Sequence, residues 1–195
     1  MSKIIVFGFM AKGISHHTDA ELFYQMKEEK AIAEQAFGEL YARHSPRVFA
    51  YCRRILGDRD RAQDAFQDTF IKFYQSAQQE RIMTNVPAFL LRIARNLCLN
   101  AQRTRHQTVQ FEDFHASMND ESAEKAELLK LITTALELLP EDYREAFVLR
   151  EYDGLAYQEI CEVTNSSMAT VKIRLFRAKQ KIREILAPYL VDLAK

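Results

Sequence analysis

Glycine and proline are scarce in this 195-residue chain, at 5 and 4 copies. So few turn-forming residues argue against many short strands and favour long helices. Tryptophan is absent. The three cysteines, Cys52, Cys98 and Cys161, lie far apart, and no C-x-x-C pair exists. An odd, dispersed set excludes a disulfide framework and suits a reducing compartment. Each sits in an apolar helical pattern, as small buried residues do. The longest apolar run, Ile4 to Met10, is far short of the roughly 18 residues that a membrane helix needs. Lys3 before it is a faint echo of a signal peptide, but no convincing small-residue cleavage site follows. No membrane insertion is expected, and the location expected is cytoplasmic.

Catalytic groupings are missing as well. There is no glycine-rich phosphate loop. His16 and His17 are adjacent, so their side chains diverge, and His44, His106 and His115 have no ligand spacing to cysteines or acids. No enzyme, cofactor or metal site is expected. Formal net charge is zero, which argues mildly against a nucleic-acid binder. The charges are strongly segregated, however, and segregation matters more than the sum.

What is present is helical periodicity. Residues 28–56 carry Ala33, Phe37, Leu40 and Tyr41, then Val48, Phe49, Cys52, Ile55 and Leu56. Pro46 is expected to interrupt this stretch, with Ser45 capping the second piece. Gly57-Asp58 ends it. Over 60–75, Ala62, Phe66, Phe70 and Phe73 form one stripe, and Asp64, Gln67 and Asp68 lie on other faces. The polar stretch 76–85 reads as a loop, and Phe73 or Tyr74 at its border could stack on an unpaired base. Pro87 fits the first turn of the next helix. There Phe89, Leu90, Ile93, Ala94, Leu97, Cys98 and Ala101 face one way, and Arg92, Arg95, Asn96, Asn100 and Arg103 the other. From Arg92 to His106 there are four arginines and no acid.

Periodicity then lapses. From Glu112 to Glu127 there are six acids and one lysine, the composition of a solvated, flexible linker. It resumes with Leu128, Leu131, Ile132, Ala135 and Leu138, until Pro140 ends it. A further helix carries Tyr143, Ala146, Phe147 and Leu149 as far as Asp153-Gly154. The domains expected are an N-terminal extension of unknown role (1–27), a helical bundle (28–105), an acidic linker (106–124) and a second helical domain (125–190). Residues 1–25 match nothing that follows, and Met26 would serve as a start codon immediately before the good helical pattern.

Residues 155–180, LAYQEICEVTNSSMATVKIRLFRAKQ, have the spacing of a helix-turn-helix. Ile160 points inward, and Cys161 supplies a small side chain where the helices touch. Asn165 suits a left-handed turn residue. Ser166 or Ser167 caps the second helix, whose Met168, Val171, Leu175 and Ala178 pack inward. Ser167, Thr170, Arg174 and Arg177 fall on the other face. From Ser166 to Arg183 there are six lysines or arginines and no acid. Arginine donates twice to guanine and hydroxyls adapt to several bases. Lysines such as Lys172 suit phosphates.

Two stretches together resemble one family. Residues 56–74, LGDRDRAQDAFQDTFIKFY, with 87–103, PAFLLRIARNLCLNAQR, are similar to region 2 of sigma-70 factors. Residues 139–186, opening LPEDYREAFVLREYDGLAYQEI, are similar to region 4. The order fits the extracytoplasmic-function (ECF) group, which keeps only these two regions. The likeness covers residues 30 to 187 except the linker, and the paired motifs are far more specific than a helix-turn-helix alone.

The resemblance implies an all-α chain, a region 2 bundle and a region 4 helix-turn-helix joined by a flexible linker. It implies core RNA polymerase, promoter DNA and an anti-sigma factor as partners. By it, Asp64, Gln67 and Asp68 meet the polymerase clamp, and the loop at 76–86 captures a flipped base of the minus-ten element. Arg92, Arg95, Asn96, Asn100 and Arg103 line the DNA path, and residues 167–177 enter the major groove of the minus-thirty-five element. Gln63 stands where the family commonly has Glu, and Ile173 where it often has Ser. No tryptophan stands near Tyr74 and Phe89, where the family often carries one. The alternatives are a stand-alone helix-turn-helix regulator that binds operators as a dimer, and a helical adaptor that binds only protein. With an acidic linker between basic modules, the free chain is expected to be compact or masked.

Overall fold

The computed structural model describes residues 16–77, 79, 83–105 and 131–193. Every regular element among them is helical. The acidic linker lies outside the described residues.

The first helix, α1 (Asp19–Gln25), opens with a reciprocal cap. Thr18 Oγ1 accepts the Glu21 N–H at 3.3 Å and Glu21 Oε2 accepts the Thr18 N–H at 2.7 Å. Two of the orphan donors at a helix start are thereby satisfied. Leu22, Phe23 and Met26 are fully buried in the same core as the helices that follow. Structure therefore begins upstream of residue 28, and Met26 is a core residue rather than the edge of one.

Helix α2 (Lys30–Leu56) runs unbroken through Pro46. Proline was expected to divide it. The ring removes one donor, but Leu40 and His44 before it and Val48, Tyr51 and Cys52 after it are all buried. Packing along the whole length outweighs one missing hydrogen bond. Gly57 ends the helix at φ 73°, a left-handed conformation that costs glycine little. Asp58 Oδ1 accepts the Arg61 N–H at 2.7 Å and so caps α3 (Arg59–Ala77). Asn85 Oδ1 does the same for Ala88 N–H, at 3.0 Å, at the head of α4 (Val86–Arg105).

Residues 131–137 form α5, followed by α6 (Glu141–Phe147), a π-helical turn (Val148–Tyr152), α7 (Tyr157–Thr164) and α8 (Met168–Leu193). Leu138 was expected in the inward stripe, but it is exposed and Leu139 is buried instead. The helix ends at 137, so the chain leaves the 3.6-residue phase before Leu138.

Phe23, Phe70, Phe73 and Phe89 meet in tilted and edge-on contacts at the centre of the first bundle. The two modules are packed together. One face of α4 lies on α2 and α3, and α7 lies against α4 as well. Leu90, Leu91 and Ala94 share a continuous core with Leu149, Leu155, Ile160 and Val163.

Candidate nucleic-acid and polymerase interfaces

The helical period sorts α3 into two faces. Ala62, Phe66, Phe70 and Phe73 are buried, while Asp64, Gln67 and Asp68 are exposed. Ile71 continues the exposed row at the same i, i+3, i+4, i+7 spacing and is 55% exposed. The sequence reading passed over it. An apolar residue in an otherwise polar row was the available signal. The outer face of α3 is thus acidic with one apolar side chain, suited to a partner that offers both cations and apolar surface.

On α4, Leu90, Ala94 and Cys98 are buried, and Arg92, Asn96, Asn100 and Arg103 are exposed. The Arg92 guanidinium lies over the Phe89 ring at 5.0 Å, which fixes the cation beside an aromatic face. Arg95 behaves differently from its neighbours. Its Nε donates to Glu145 Oε1 at 2.7 Å and its Nη2 to Glu145 Oε2 at 3.1 Å. Burial, then the nearby Glu145 carboxylate, pushes the Tyr51 hydroxyl well above its ordinary range. It stays protonated and donates to Glu145 Oε1 at 3.4 Å.

A cleft of about 190 Å³ opens beside the head of α4. Met83, Asn85, Phe89 and Arg92 line one side, and Glu162 and Val163 of α7 the other.

The helix-turn-helix is assembled as the sequence indicates. Asn165 takes φ 51° and ψ 46°, and its N–H bonds to the Cys161 carbonyl. Ile160, Val171, Leu175 and Ala178 are buried between α7 and α8 and against α6. Cys161 is half-buried against the same core. Ser167 Oγ accepts the Thr170 N–H at 3.2 Å and caps α8. It also lies 2.8 Å from Thr170 Oγ1. Arg174 is braced from two sides: Nη2 meets Asp142 Oδ2 at 2.6 Å and Nη1 donates to Ser166 Oγ at 3.1 Å. Arg177 Nη1 donates to the Tyr143 hydroxyl at 3.2 Å. Lys172 is exposed. The most outward side chains include Ile173, at 54% exposure, where the family often has Ser, and Phe176, at 70%, which the sequence reading did not count as a reader. Phe176 had a signal: it lies about half a turn from Val171 and Ala178, yet it is large and apolar.

A two-module helical chain with an acidic face on one helix, an arginine–asparagine face on the next and a basic helix-turn-helix defines a class of promoter-recognition proteins. Residues 40–108 match the family model described as Sigma-70 region 2, and residues 129–182 match Sigma-70, region 4. The chain is 31% identical over 172 residues to the RNA polymerase sigma-H factor of Pseudomonas aeruginosa, spanning 80% of this chain and 89% of that protein. It is 31% identical over 170 residues to the ECF RNA polymerase sigma-E factor of Salmonella typhimurium, spanning 80% and 88%. In fold it is similar to a sigma factor solved with an anti-sigma factor from Bartonella quintana, with a TM-score of 0.67 at 24% identity over 77% of this chain and 96% of that one. The chain belongs to the sigma-70 family, in its ECF group. It is a non-enzymatic initiation factor that directs RNA polymerase to promoters. Among the described residues no helix is long and apolar enough to cross a membrane.

Proposed function

We propose that the exposed face of α3 docks on core RNA polymerase while α4 and α8 divide promoter recognition between them. Asp64, Gln67 and Asp68 form the polymerase contact, with Ile71 as its apolar anchor. Arg92, Arg95, Asn96, Asn100 and Arg103 follow the DNA at the minus-ten element. Ser167, Thr170, Lys172, Arg174 and Arg177 enter the upstream element. The observation that carries this reading is the separation of faces: the acids of α3 and the exposed Arg92 and Arg103 of α4 lie on different helices, each away from its own buried stripe. One module can therefore hold protein and DNA together. Arg174 and Arg177, braced against Asp142 and Tyr143, are pre-oriented rather than lost to DNA. A bound arginine keeps donors to spare.

The domain limits proposed are 28–105 and 125–190, joined by the acidic segment 106–124, with α1 completing the first core. An anti-sigma factor is the natural antagonist, as in the complex of the Bartonella quintana relative. The site of action is the cytoplasm, where the transcription machinery resides.

The test is transcription in vitro with core polymerase, mapping start sites with and without the chain. New promoter-specific starts are expected. Reversing Asp64 and Asp68 together to Lys should leave helicity intact and weaken core binding in a pull-down. Unchanged core binding would remove the α3 assignment.

A further inference from the structure

We infer that Tyr24 is a positioning residue for the minus-ten cleft: its hydroxyl, with Phe23 beside it, fixes the wall that Met83, Asn85 and Phe89 present to an unpaired base, without touching DNA itself. This rests on the reading that the head of α4 faces the minus-ten element. Met83, Thr84 and Asn85 lead into α4, which begins at Val86. The Met83 N–H therefore lies ahead of the helix and needs a partner from elsewhere. It donates to the Tyr24 hydroxyl at 3.2 Å, across 59 positions of sequence. The Met83 side chain is buried in the core. Two residues on, Asn85 Oδ1 accepts the Ala88 N–H and caps the helix. The Phe89 ring meets Phe23 edge-on at 6.4 Å between centres, and both rings touch Phe73 of α3. Phe23 and Tyr24 are neighbours in α1. One short helix thus holds the cleft wall at two points, at Met83 through a hydroxyl and at Phe89 through a ring.

The two restraints differ in kind. Ring contacts tolerate a range of angles, whereas a hydrogen bond to a backbone N–H sets both distance and direction. The Tyr24 hydroxyl is therefore the directional restraint on the chain just before Asn85. Tyr24 is held in turn. Lys27 Nζ lies 5.4 Å from its ring centre and 5.7 Å from that of Phe23. Asp19 ties α1 to α2 through Arg43 and His44. Restraint runs from α2 to α1, from α1 to Met83, and from Met83 to the lining of the cleft. A cleft already held in its binding shape needs little ordering when a base arrives, so less entropy opposes capture. Fixed groups also discriminate, because a base that fails to meet them leaves them unpaired. Tyr24 is 41% exposed, so the fold tolerates phenylalanine there. That change keeps the ring and its cation contact and deletes the hydroxyl alone.

The experiment uses holoenzyme reconstituted from core polymerase and the full chain, wild type or Tyr24→Phe. Promoter opening is followed by 2-aminopurine fluorescence, on a set of promoters varied one base at a time across the minus-ten element. Circular dichroism checks helicity and a pull-down checks core binding, and both are expected to match the wild type. Opening on the preferred sequence should fall about fivefold, the loss of one hydrogen bond. Opening on promoters with another base at the captured position should fall less, so that discrimination narrows there. An equal loss on every sequence is what a purely structural part would give, and it overturns the proposal. So does an unchanged pattern. Arg92→Ala, assayed alongside, separates the proposal from the reading on which it rests. Narrowed discrimination in Arg92→Ala, with none in Tyr24→Phe, removes Tyr24 and keeps the cleft on the minus-ten element. No change in either variant removes both.

Discussion

Arg95 and Glu145 lie 50 positions apart, yet they form a paired, two-bond ion contact between α4 and α6, at 2.7 and 3.1 Å. The carboxylate is held from a third side by the Tyr51 hydroxyl of α2. Three helices from two modules thus converge on one buried acid. Their apolar flanks, Ala94 and Ala146, join the same core.

A double-mutant cycle on this pair should show coupling. Hydrogen bonds to charged groups contribute about 1.5–3 kcal/mol each way of counting, and the two partners share both bonds. Arg95→Ala, Glu145→Ala and the double variant, compared by urea denaturation, are expected to give a coupling of about 2 kcal/mol. Simple additivity of the single changes would show that the contact contributes nothing beyond its separate side chains.

Asp153 gives the packed state a pH dependence. Burial pushes its carboxyl up to about 6, against the opposing pull of Arg47 and then Arg54. The folded chain therefore holds this proton more tightly than the unfolded chain does. Its contribution to stability is complete below about pH 4, the ordinary range for aspartate, and is lost as pH rises through about 6. Moving the carboxyl from its ordinary range to about 6 corresponds to about 3 kcal/mol. Asp153→Asn, which cannot ionise, should be the more stable chain at pH 7 and should flatten the profile between pH 4 and 7. Denaturation curves at several pH values check this. A wild-type profile that does not change across that window would rule out the buried acid as its source.

Much of the architecture was legible from the chain. The stripes at Ala62, Phe66, Phe70 and Phe73, and at Leu90, Ala94 and Cys98, identified the buried faces because helix period and burial coincide there. Asn165 was readable as a left-handed turn because few side chains tolerate that conformation. Pro46 misled because a local rule about one donor takes no account of packing along 27 residues. Leu138 misled because a stripe was extended one step past the helix end. The partner of Arg95 was out of reach altogether. An arginine on a basic face reads as solvent-facing, and nothing local to either residue joins positions so far apart.

The segment before residue 28 was the least legible, because one short helix has too few residues to establish a period. Its apolar face is nevertheless anchored in the core. Leu22 and Phe23 are fully buried, and Phe23 touches the Phe73 and Phe89 rings at 5.6 and 6.4 Å between centres. Asp19 adds bonds to Arg43 at 2.9 Å and His44 at 2.7 Å. Phe23→Ala should cost about 3–5 kcal/mol through lost transfer energy and the cavity left behind. A chain begun at Met26 should lose more, since Leu22 goes too. Thermal denaturation of both variants measures this. Equal stability of the shortened chain would show that α1 is dispensable to the core.

The outward face of α8 separates a recognition defect from a folding defect. Phe176 is 70% exposed and Ile173 is 54% exposed. Exposed substitutions away from caps and cores usually change stability by less than about 0.5 kcal/mol. Arg174 is different, because its bonds to Asp142 and Ser166 brace α8 against α6 and the turn. Arg174→Ala should therefore lower stability as well as DNA affinity. Phe176→Ala should lower affinity alone. Apolar side chains read the thymine methyl group in the major groove, so the loss should be largest where thymine is present at the contacted step. A base-edge contact should cost about 1–3 kcal/mol and be confined to one position of the upstream element, whereas a phosphate contact such as that expected of Lys172 should weaken all sequences alike. The measurement is transcription by reconstituted holoenzyme on a promoter library varied in the upstream element, beside a melting curve for each variant. Full promoter selectivity in Phe176→Ala would place that side chain outside the groove.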